Sequence, residues 1–506
     1  MVNPLFDALF APLAERNTDF LVLHGSGSLT GDTFYRMIAQ AAHALRAIGV
    51  TVGDRVAVQI PKSPQALAIY AATVTIGAVF LPLNTGYTAA ELGYFIDNAT
   101  PRVVICDPAN ALALHPIAAR HGAQLVTLDG AGQGGFAHLM ADQPDTIIPA
   151  PRGPGDLAAI LYTSGTTGRS KGAMLTQGNL LSNAQALAQL WQFTDRDVLL
   201  HALPIFHTHG LFVACNVSLL AGASMIFLPS FDVATVLAHL PNATTMMGVP
   251  TFYTRLLDAP GLTRTATAHI RLFISGSAPL LAQTHARFHA RTGHHILERY
   301  GMTETNMNTS NPYDGARRAG TVGLPLPGVQ VRIMADGTQS AAGKVGDIEV
   351  RGPNVFAGYW QMPEKTAEDL RPDGWFMTGD LGMLDADGYL HIVGRSKDLI
   401  ISGGYNIYPI EIEVLLDAVP GVAESAVIGL PHPDLGEAVF AVITAQSGWA
   451  IDPAAVLQSL AGHLARFKHP KAVVVVADLP RNTMGKVQKA ALRSRYADWF
   501  FTQKNS

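Results

Sequence analysis

Short runs of β-branched residues alternate with Ala- and Leu-rich segments along most of this chain. The runs "RVAVQI", "AVFLPL", "RVVICD" and "AQLVTLD" have the length of buried strands, whereas "FYRMIAQAAHALRAIG" has the period of a helix. Such alternation is typical of βαβ units, whose strands are parallel and whose helices cover the sheet. The pattern recurs in "SMIFLP", "TTMMGVP" and "IRLFISG" and predicts layered parallel sheets up to about residue 320.

Beyond that point the strands are punctuated by glycine and proline, as in "TVGLPLPGVQVRIM" and "GDIEVRGPNVFAGYW", which favours a small antiparallel barrel. A compact α+β tail of about a hundred residues follows "GRSKDLI". A chain of 506 residues is also too long for a single hydrophobic core. We therefore predict an α/β fold with a large N-terminal domain, residues 1–396, and a small mobile α+β C-terminal domain, residues 397–506.

Charge and cysteine content exclude several classes of partner. A net charge of −4 without Lys/Arg runs argues against nucleic acid and against an anionic membrane surface. No stretch of about 20 residues is apolar and uncharged, and the N-terminus lacks the basic region of a signal peptide. Cys106 and Cys215 lie far apart in apolar segments, which fits reduced core thiols. We expect a cytoplasmic protein with neither a membrane nor a nucleic-acid partner.

The segment "YTSGTTGRSKGAM", residues 162–174, has the composition of a phosphate-binding loop. It follows the apolar strand "LAAILY", its glycines free the backbone, and its hydroxyl and basic side chains can donate to a polyanion. A Walker A loop requires G-x-x-x-x-G-K-[ST], but here Lys171 lies between Ser170 and Gly172. The sequence therefore predicts a phosphate site of another kind.

The longer segment "LYTSGTTGRSKGAMLT" resembles the phosphate-loop signature of the adenylate-forming, or acyl-activating, superfamily. Its other motifs follow in order: "ERYGMTET" at 298–305, "WFMTGD" at 375–380, "GRSKDLIISGGYNIYP" at 394–409 and "PRNTMGKVQK" at 480–489. The resemblance implies that a carboxylate attacks the α-phosphate of ATP, giving an acyl-adenylate and pyrophosphate. A thiol then displaces AMP.

The resemblance also implies roles in the nucleotide site. Lys171 and its loop hold the β- and γ-phosphates, while Thr163 and Glu304 hold Mg²⁺, which prefers hard oxygen ligands. Asp380 accepts from the ribose hydroxyls, and Arg395 donates to the ribose or a phosphate. The other nucleotide-binding residues implied are Ser164, Gly165, Thr166, Thr167, Gly168, Gly276, Ser277, Ala278, Glu298, Arg299, Tyr300 near the adenine, Gly301, Met302 and Thr303.

Lys486, in "NTMGKV", is implied to be the catalytic lysine that bridges the acyl carboxylate and the α-phosphate, a task suited to a mobile ammonium. The family separates its two half-reactions by rotating the small domain about a hinge, here Lys397, so that Lys486 leaves. Gly403, Gly404 and Tyr405 then line the channel for coenzyme A. The motif further suggests Lys486 as a target of a lysine acetyltransferase and deacetylase, since acetylation removes its charge.

Two arginines bear on the acid substrate. Arg255 interrupts the apolar pattern of "VPTFYTRLL", and Arg299 stands in "ERYGMTE", where the backbone of this fold passes the acyl group. Burying a guanidinium without a counter-charge is costly, so we expect a carboxylate partner from the protein or the ligand. A dicarboxylic acid has one carboxylate to activate and a second for the planar fork of arginine. Malonate, the shortest candidate, fits a pocket narrowed by Thr208, Met302 and Met307.

The segments around this pocket, "HALPIFHTHGLFVACN", "MGVPTFYTRLL", "RLFISGSAPL" and "ERYGMTETNMNTSNPYDG", resemble those of malonyl-CoA synthetases. The substrate-binding residues implied are Arg255 and Arg299 at the distal carboxylate, Gly276 and Ser277 beside them, Thr208 and Met307 at the malonate C2 carbon, and His207 and His209 in the pocket wall. Methylmalonate is expected to be tolerated. The two histidines have no metal-ligand company, so no zinc site is predicted.

Three other interpretations stay open. Another ligase of the superfamily, taking methylmalonate, a short monocarboxylate or an aryl acid, would share every nucleotide motif. An adenylation module that loads a carrier protein is less favoured, because no carrier domain and no Asp-Ser-Leu motif follow Lys489. An inactive nucleotide-binding relative is disfavoured because four residues are present together: Glu304, Asp380, Arg395 and Lys486. Malonate, ATP and free coenzyme A are therefore the expected small-molecule partners.

Overall fold

The computed structural model describes residues 3–163, 170–403, 405–461, 463–482 and 485–502. Its first large sheet is parallel from Leu297–Met302 to Asp19–Leu23 and antiparallel at both edges. The strands are, in spatial order, Leu324–Pro325, Asn306–Ser310, Leu297–Met302, Leu272–Ser275, Thr245–Gly248, Val198–His201, Ser224–Phe227, Asp19–Leu23 and Gly27–Thr30.

The second large sheet is also parallel, apart from the hairpin that flanks the phosphate loop. Its strands are, in spatial order, Gln124–Thr127, Val103–Cys106, Arg55–Gln59, Val79–Pro82, Leu157–Thr163 and Lys171–Thr176. The layered parallel sheets predicted from the alternating sequence pattern are therefore confirmed.

Helices connect and cover these strands. The α-helices are Gly31–Ala47, Pro64–Thr75, Ala89–Ala99, Pro108–Arg120, Gly135–Ala141, Gln177–Leu190, Asn216–Leu220, Val233–His239, Pro250–Asp258 and Ala282–Thr292; π-helical turns span Phe6–Phe10 and His209–Cys215, and 3₁₀ turns span Ala11–Glu15 and Leu240–Asn242. The helix Pro64–Thr75, "PQALAIYAATVT", is apolar on every face and must be buried to be stable. Its residues from Ala66 onward lie wholly in the core.

Residues 330–395 form an antiparallel sheet in the region where the sequence predicts a small antiparallel barrel. Its strands are, in spatial order, Thr338–Gln339, Gln330–Ala335, Gly346–Arg351, Phe376–Leu384 and Leu390–Arg395. Along the chain, the helix Pro363–Asp369 falls in the connection between Gly346–Arg351 and Phe376–Leu384. The glycines and prolines of this region therefore separate antiparallel strands, as their spacing indicates.

The C-terminal sheet has its own hydrophobic core. Its strands are Tyr405–Ile407, Ile400–Ser402, Gly436–Ala445 and Val422–His432, with Ala472–Val476 parallel to Gly436–Ala445; the helices are Pro409–Asp417, Pro453–Ser459, Lys489–Arg495 and Trp499–Thr502, with 3₁₀ turns at Ser396–Asp398 and Arg466–Lys468. The predicted boundary at 396/397 falls between the last strand of the preceding sheet and Ile400–Ser402. The predicted fold class, a large α/β region followed by a small α+β domain, is confirmed.

Two further sequence-based expectations concern the cysteines and membrane spans. Cys106 and Cys215 are both buried and free, as expected of core thiols. Among the described residues, no helix combines the length and the apolar character needed to cross a membrane.

Candidate active site

Arg299 lies on the strand Leu297–Met302, and its guanidinium is buried without a counter-charge. Its Nε and Nη2 atoms have no hydrogen-bond partner, and no described carboxylate pairs with it. Burial lowers the pKa of Arg299 to about 9. Ser275 pairs with Glu298 in the parallel ladder, which brings Gly276 beside Arg299. A Cβ on Gly276 would lie 2.4 Å from Arg299 Cζ, so a larger residue at this turn would displace the guanidinium from its present position.

The neighbouring carboxylate of Glu298 does not neutralise Arg299. Consecutive residues of a strand point to opposite faces of the sheet. Glu298 is buried, its Oε1 atom has no partner, and burial raises its pKa to about 8. At neutral pH Glu298 is therefore mostly protonated and leaves the charge of Arg299 uncompensated.

Three consecutive polar residues, His207, Thr208 and His209, follow the strand Val198–His201 and have unused hydrogen-bonding capacity. His207 Nδ1, Thr208 Oγ1 and His209 Nε2 are buried without partners. Burial, reinforced by the charge of Arg299, lowers the pKa of His207 to about 4 and that of His209 well below its usual value. The pocket therefore combines one full positive charge with neutral polar groups that lack partners.

Ser277 connects this loop to the turn beside Arg299. His209 Nδ1 and Ser277 Oγ are 3.2 Å apart. Ser277 has a φ of +72°, in the left-handed region that residues with a side chain rarely adopt. Such strain persists only where the surroundings hold it, and it is frequent at functional sites.

Arg255, the second predicted arginine, is not buried. It lies on the helix Pro250–Asp258, and its exposed side chain forms no hydrogen bond or ion pair with the described residues. The helix instead buries Tyr253, Leu256 and Leu257, which are the apolar positions of the pattern. The expectation of two buried guanidinium groups is therefore wrong for Arg255, and its role in binding the acid stays a prediction.

A tightly packed hairpin follows Arg299. A Cβ on Gly301 would lie 1.8 Å from the carbonyl oxygen of Asn306 and 2.7 Å from Met307 Cε. Met307 is buried, and the side-chain amide of Asn183 donates to its carbonyl at 2.8 Å. Met307 is thus held in one position. Other predicted nucleotide-binding residues of this region are partly exposed, namely Ser277, Ala278, Tyr300, Gly301, Met302 and Thr303.

Asp380 is held by two residues that the sequence also assigns to the nucleotide. It lies directly opposite Arg395 in the antiparallel ladder, and Arg395 Nε is 3.0 Å from its Oδ1. The hydroxyl of Tyr300 donates to its Oδ2 at 2.5 Å. Burial, together with the charge of Asp380, raises the pKa of Tyr300, so that this hydroxyl remains a donor. The sequence motifs are thus brought together around one buried carboxylate.

Glu304 is linked to Lys171 through Tyr359, a residue that sequence reasoning missed. The hydroxyl of Tyr359 donates to Glu304 Oε1 at 3.1 Å, and Lys171 Nζ donates to the same hydroxyl at 3.1 Å. Lys171 also lies 3.4 Å from Asp369, another missed residue. Burial raises the pKa of Glu304. Nothing in "NVFAGYW" distinguishes this tyrosine from an ordinary packing aromatic.

The centre of the phosphate loop, residues 164–169, lies outside the described residues, and with it the predicted Ser164, Gly165, Thr166, Thr167 and Gly168. Both ends of the loop are described. Thr163 pairs with Lys171 in the antiparallel ladder, and Thr163 Oγ1 lies 3.5 Å from the carbonyl oxygen of Lys171. Within the described part of the chain, no group of three or more His, Cys, Asp or Glu residues could hold a metal ion.

Lys486 belongs to a loop of the C-terminal domain that lies against the large domain. The preceding residue, Gly485, has a φ of +75°, and a Cβ there would lie 3.1 Å from Thr251 Oγ1 on the helix Pro250–Asp258. Arg481 fixes this loop, because its guanidinium donates to the carbonyl of Gly485 at 2.8 Å and pairs with Glu424. The loop of the small domain therefore contacts the helix Pro250–Asp258.

Lys486 is exposed to solvent. Partial desolvation by nearby protein, reinforced by the charge of Arg395, lowers the pKa of Lys486 to about 8. The negative charge of Asp380 raises the pKa of Lys486 and so opposes this effect. The charge of Lys486 in turn lowers the pKa of His207. Lys486 thus lies within electrostatic range of both His207 and the Asp380–Arg395 pair.

Gly403 and Tyr405, which the sequence assigns to the coenzyme A channel, contact other residues of the C-terminal domain. Gly403 donates its backbone N–H to the carbonyl of Leu435 at 2.9 Å, and Tyr405 stacks on Phe467 with ring centroids 4.5 Å apart. Both partners belong to the C-terminal domain, and Gly404 lies outside the described residues. The predicted hinge residue Lys397 is exposed in the turn between the two domains.

Two family models match this chain. The AMP-binding enzyme model covers residues 10–360, and the AMP-binding enzyme C-terminal domain covers residues 411–486. The chain therefore belongs to the AMP-binding enzyme family. The superfamily predicted from the sequence motifs is confirmed.

Individual relatives cover nearly the whole chain. Feruloyl-CoA synthase from Amycolatopsis sp is 38% identical over 480 residues, 94% of this chain and 95% of that protein. Malonate–CoA ligase from Arabidopsis thaliana is 36% identical over 478 residues, 88% of this chain and 78% of that protein.

Two crystal structures of MatB from Rhodopseudomonas palustris are more similar, at 55% identity, and cover 99% of this chain and 100% of theirs. The TM-score is 0.97 for the ATP-bound form and 0.85 for the apo form. The arrangement described here is therefore nearer to that of the ATP-bound form.

Proposed function

We propose that this protein ligates malonate to coenzyme A, using ATP and passing through a malonyl-adenylate, with release of pyrophosphate and AMP. The observation that carries the choice of acid is Arg299, a buried guanidinium without a protein counter-charge. An uncompensated buried charge costs several kcal/mol. The second carboxylate of a dicarboxylic acid supplies the missing partner, in a geometry that the guanidinium fork can bind with two hydrogen bonds.

Relatives of this chain include enzymes named for malonate and for ferulate, so the acid must be argued from the pocket. An aryl ring against Arg299 would leave the guanidinium, His207 Nδ1 and Thr208 Oγ1 without partners. Each buried polar group left in that state costs about 1–3 kcal/mol. A short monocarboxylate that presents its only carboxylate for activation would also leave Arg299 unpaired. A dicarboxylate is therefore favoured over both.

The position of His207 favours a short dicarboxylate. Arg299 and Lys486 both lower its pKa, so both cations lie within electrostatic range of one imidazole. Malonate, with a single carbon between its carboxylates, can present one to Arg299 and the other toward Lys486. Thr208 and Met307 limit the space at this carbon, and we expect methylmalonate to be accepted as well.

The nucleotide is bound mainly by Asp380, Lys171 and the phosphate loop. Asp380, already oriented by Arg395 and Tyr300, accepts from the ribose hydroxyls, and the phosphate loop with Lys171 holds the β- and γ-phosphates. Lys486 is within electrostatic range of both His207 and Asp380. Its ammonium stabilises negative charge as that charge passes from the attacking carboxylate to the phosphate oxygens.

Glu304 and Thr163 would hold Mg²⁺. A buried carboxylate and a hydroxyl are hard oxygen donors, and Mg²⁺ commonly takes one or two protein ligands while phosphates and water complete its shell. When bound, Mg²⁺ neutralises phosphate charge. The hydroxyl of Tyr359 orients Glu304 through the hydrogen bond to Oε1.

Thioester formation requires the small domain to turn about Lys397, so that Lys486 leaves and Gly403, Gly404 and Tyr405 line the coenzyme A channel. The solvent-open surface of Lys486 meets a requirement for a lysine acetyltransferase and deacetylase, and acetylation would stop adenylation by removing its charge. The free thiols of Cys106 and Cys215 support a cytoplasmic location.

The proposal is tested by measuring coenzyme A-dependent AMP release with each of five acids in turn: malonate, methylmalonate, succinate, acetate and ferulate. We expect the highest kcat/KM with malonate, followed by methylmalonate. A higher kcat/KM with acetate or ferulate would overturn the assignment. Omitting coenzyme A gives the matched control, in which pyrophosphate release should stop once the bound adenylate has formed and no AMP should be released.

A further inference from the structure

Lys62 joins the ends of two strands that belong to different sheets. It follows the strand Arg55–Gln59, and its Nζ donates to the carbonyl oxygens of His201 at 2.8 Å and Leu203 at 3.0 Å. The same Nζ lies 3.0 Å from His201 Nδ1. One ammonium therefore uses its three donors on the segment that leaves the strand Val198–His201.

His201 extends this connection to the other end of the same segment. Its Nε2 lies 2.9 Å from the carbonyl oxygen of Gly210. Because Nδ1 accepts from Lys62, the ring proton is on Nε2 and is donated to Gly210. Burial, together with the nearby ammonium, lowers the pKa of His201 and keeps the ring neutral. Lys62 and His201 thus hold the segment 203–210 at both ends.

A cavity of about 250 Å³ lies behind this segment. Lys62, Pro204, Ile205 and Phe206 are among the residues that line it. The cavity is partly open, and it leaves the side chain of Lys62 beside the segment. Leu203 and Ile205 are buried, and the hydrogen bonds of Lys62 add a polar attachment for the backbone at this place.

The ammonium has no carboxylate partner among the described residues. Phe227 lies beneath it, with Nζ 4.2 Å from the ring centroid, and burial lowers the pKa of Lys62 to about 7. An unpaired buried charge is unfavourable for stability. Its presence is explained if the hydrogen bonds that it makes serve the site.

We propose that Lys62 is a positioning residue for the acid pocket: it holds the backbone that presents His207, Thr208 and His209 beside Arg299. The inference rests on the proposed function, since that pocket is taken to bind malonate. Lys62 itself touches neither substrate. It acts through the carbonyls of His201 and Leu203.

The test replaces Lys62 by methionine, which is similar in length and has no donors. The matched control is Lys344→Met, which changes an exposed lysine that has no ion pair among the described residues. Initial rates of pyrophosphate release give kcat and KM for malonate and ATP separately. We expect Lys62→Met to raise the malonate KM about 10- to 100-fold with the ATP KM little changed, since small misplacements cost factors of this size. Lys344→Met should match the wild type.

Two further variants keep the test decisive. Lys62→Gln retains a shorter donor and should give an intermediate malonate KM. Lys62→Ala enlarges the cavity, and added propylammonium should restore its malonate KM toward the wild-type value. The inference would be overturned if the KM values for malonate and ATP changed equally. It would also be overturned if the variants had a lower melting temperature, unchanged KM values and no rescue by propylammonium, because the role of Lys62 would then be purely structural. A wild-type enzyme inactive with malonate would refute the proposed function instead, and the comparison would then use the acid that it does activate.

Discussion

Replacing Arg299 by methionine should affect activity and stability in opposite directions. In the protein alone the guanidinium is buried without a counter-charge, so an apolar side chain of similar volume should be neutral or stabilising by about 1–4 kcal/mol. With malonate bound, the same change removes one partner of a buried charge pair, which costs about 2–5 kcal/mol. At about 1.4 kcal/mol per factor of ten, kcat/KM for malonate should fall about 30-fold to several thousand-fold.

The assay compares malonate with propionate, which carries a methyl group where malonate has its second carboxylate. Pyrophosphate release gives kcat/KM for each acid, and thermal unfolding without ligands gives the melting temperature. Arg299→Met should lose malonate activity, keep its propionate activity within a few-fold and melt no lower than the wild type. Arg196→Met provides the comparison at an exposed arginine outside the predicted site. Equal losses with both acids, or a clearly lower melting temperature, would refute the argument that the buried charge awaits a carboxylate.

Three further predictions concern the same cleft. Lys486→Ala should abolish adenylation, measured as malonate-dependent ATP–pyrophosphate exchange, yet largely spare thioester formation from supplied malonyl-adenylate; equal loss in both half-reactions would contradict its role. The pKa of Lys486 is lowered to about 8, so its ammonium loses a proton as the pH rises through that value. The kcat/KM for adenylation should therefore fall above about pH 8. The rate of thioester formation should not show the same pH dependence. Gly276→Ala places a Cβ 2.4 Å from Arg299 Cζ and should raise the malonate KM with little effect on the ATP KM, which separate titrations of the two substrates would check.

The elements that the sequence predicts well are those governed by local pattern. Strand runs such as "RVVICD" lie in parallel sheets because they are apolar throughout and are separated by helical segments. The need for a carboxylate at Arg299 could also be argued beforehand, because the cost of a buried guanidinium does not depend on details of the fold. Arg299 is buried, as that reasoning assumes, and its carboxylate partner stays a prediction.

The elements that the sequence does not predict depend on contacts between distant segments. Tyr359 reaches Glu304 from 55 residues away, and Lys62 reaches His201 from 139 residues away. Neither residue stands in a pattern that marks it, since a tyrosine among apolar residues and a lysine in a loop are both common. The exposure of Arg255 has a similar cause. The apolar period fixes which helical positions are buried, but a single charged residue between them can lie on either side of the boundary.

The central claim is that the pocket selects a short dicarboxylate. Its most direct test is a competition in which the enzyme, ATP and limiting coenzyme A receive equal concentrations of malonate, methylmalonate, succinate, acetate and ferulate, and the thioesters formed are identified by mass spectrometry. The buried, unpaired guanidinium of Arg299 predicts malonyl-CoA as the main product, with methylmalonyl-CoA second. A mixture dominated by acetyl-CoA or feruloyl-CoA would contradict the account.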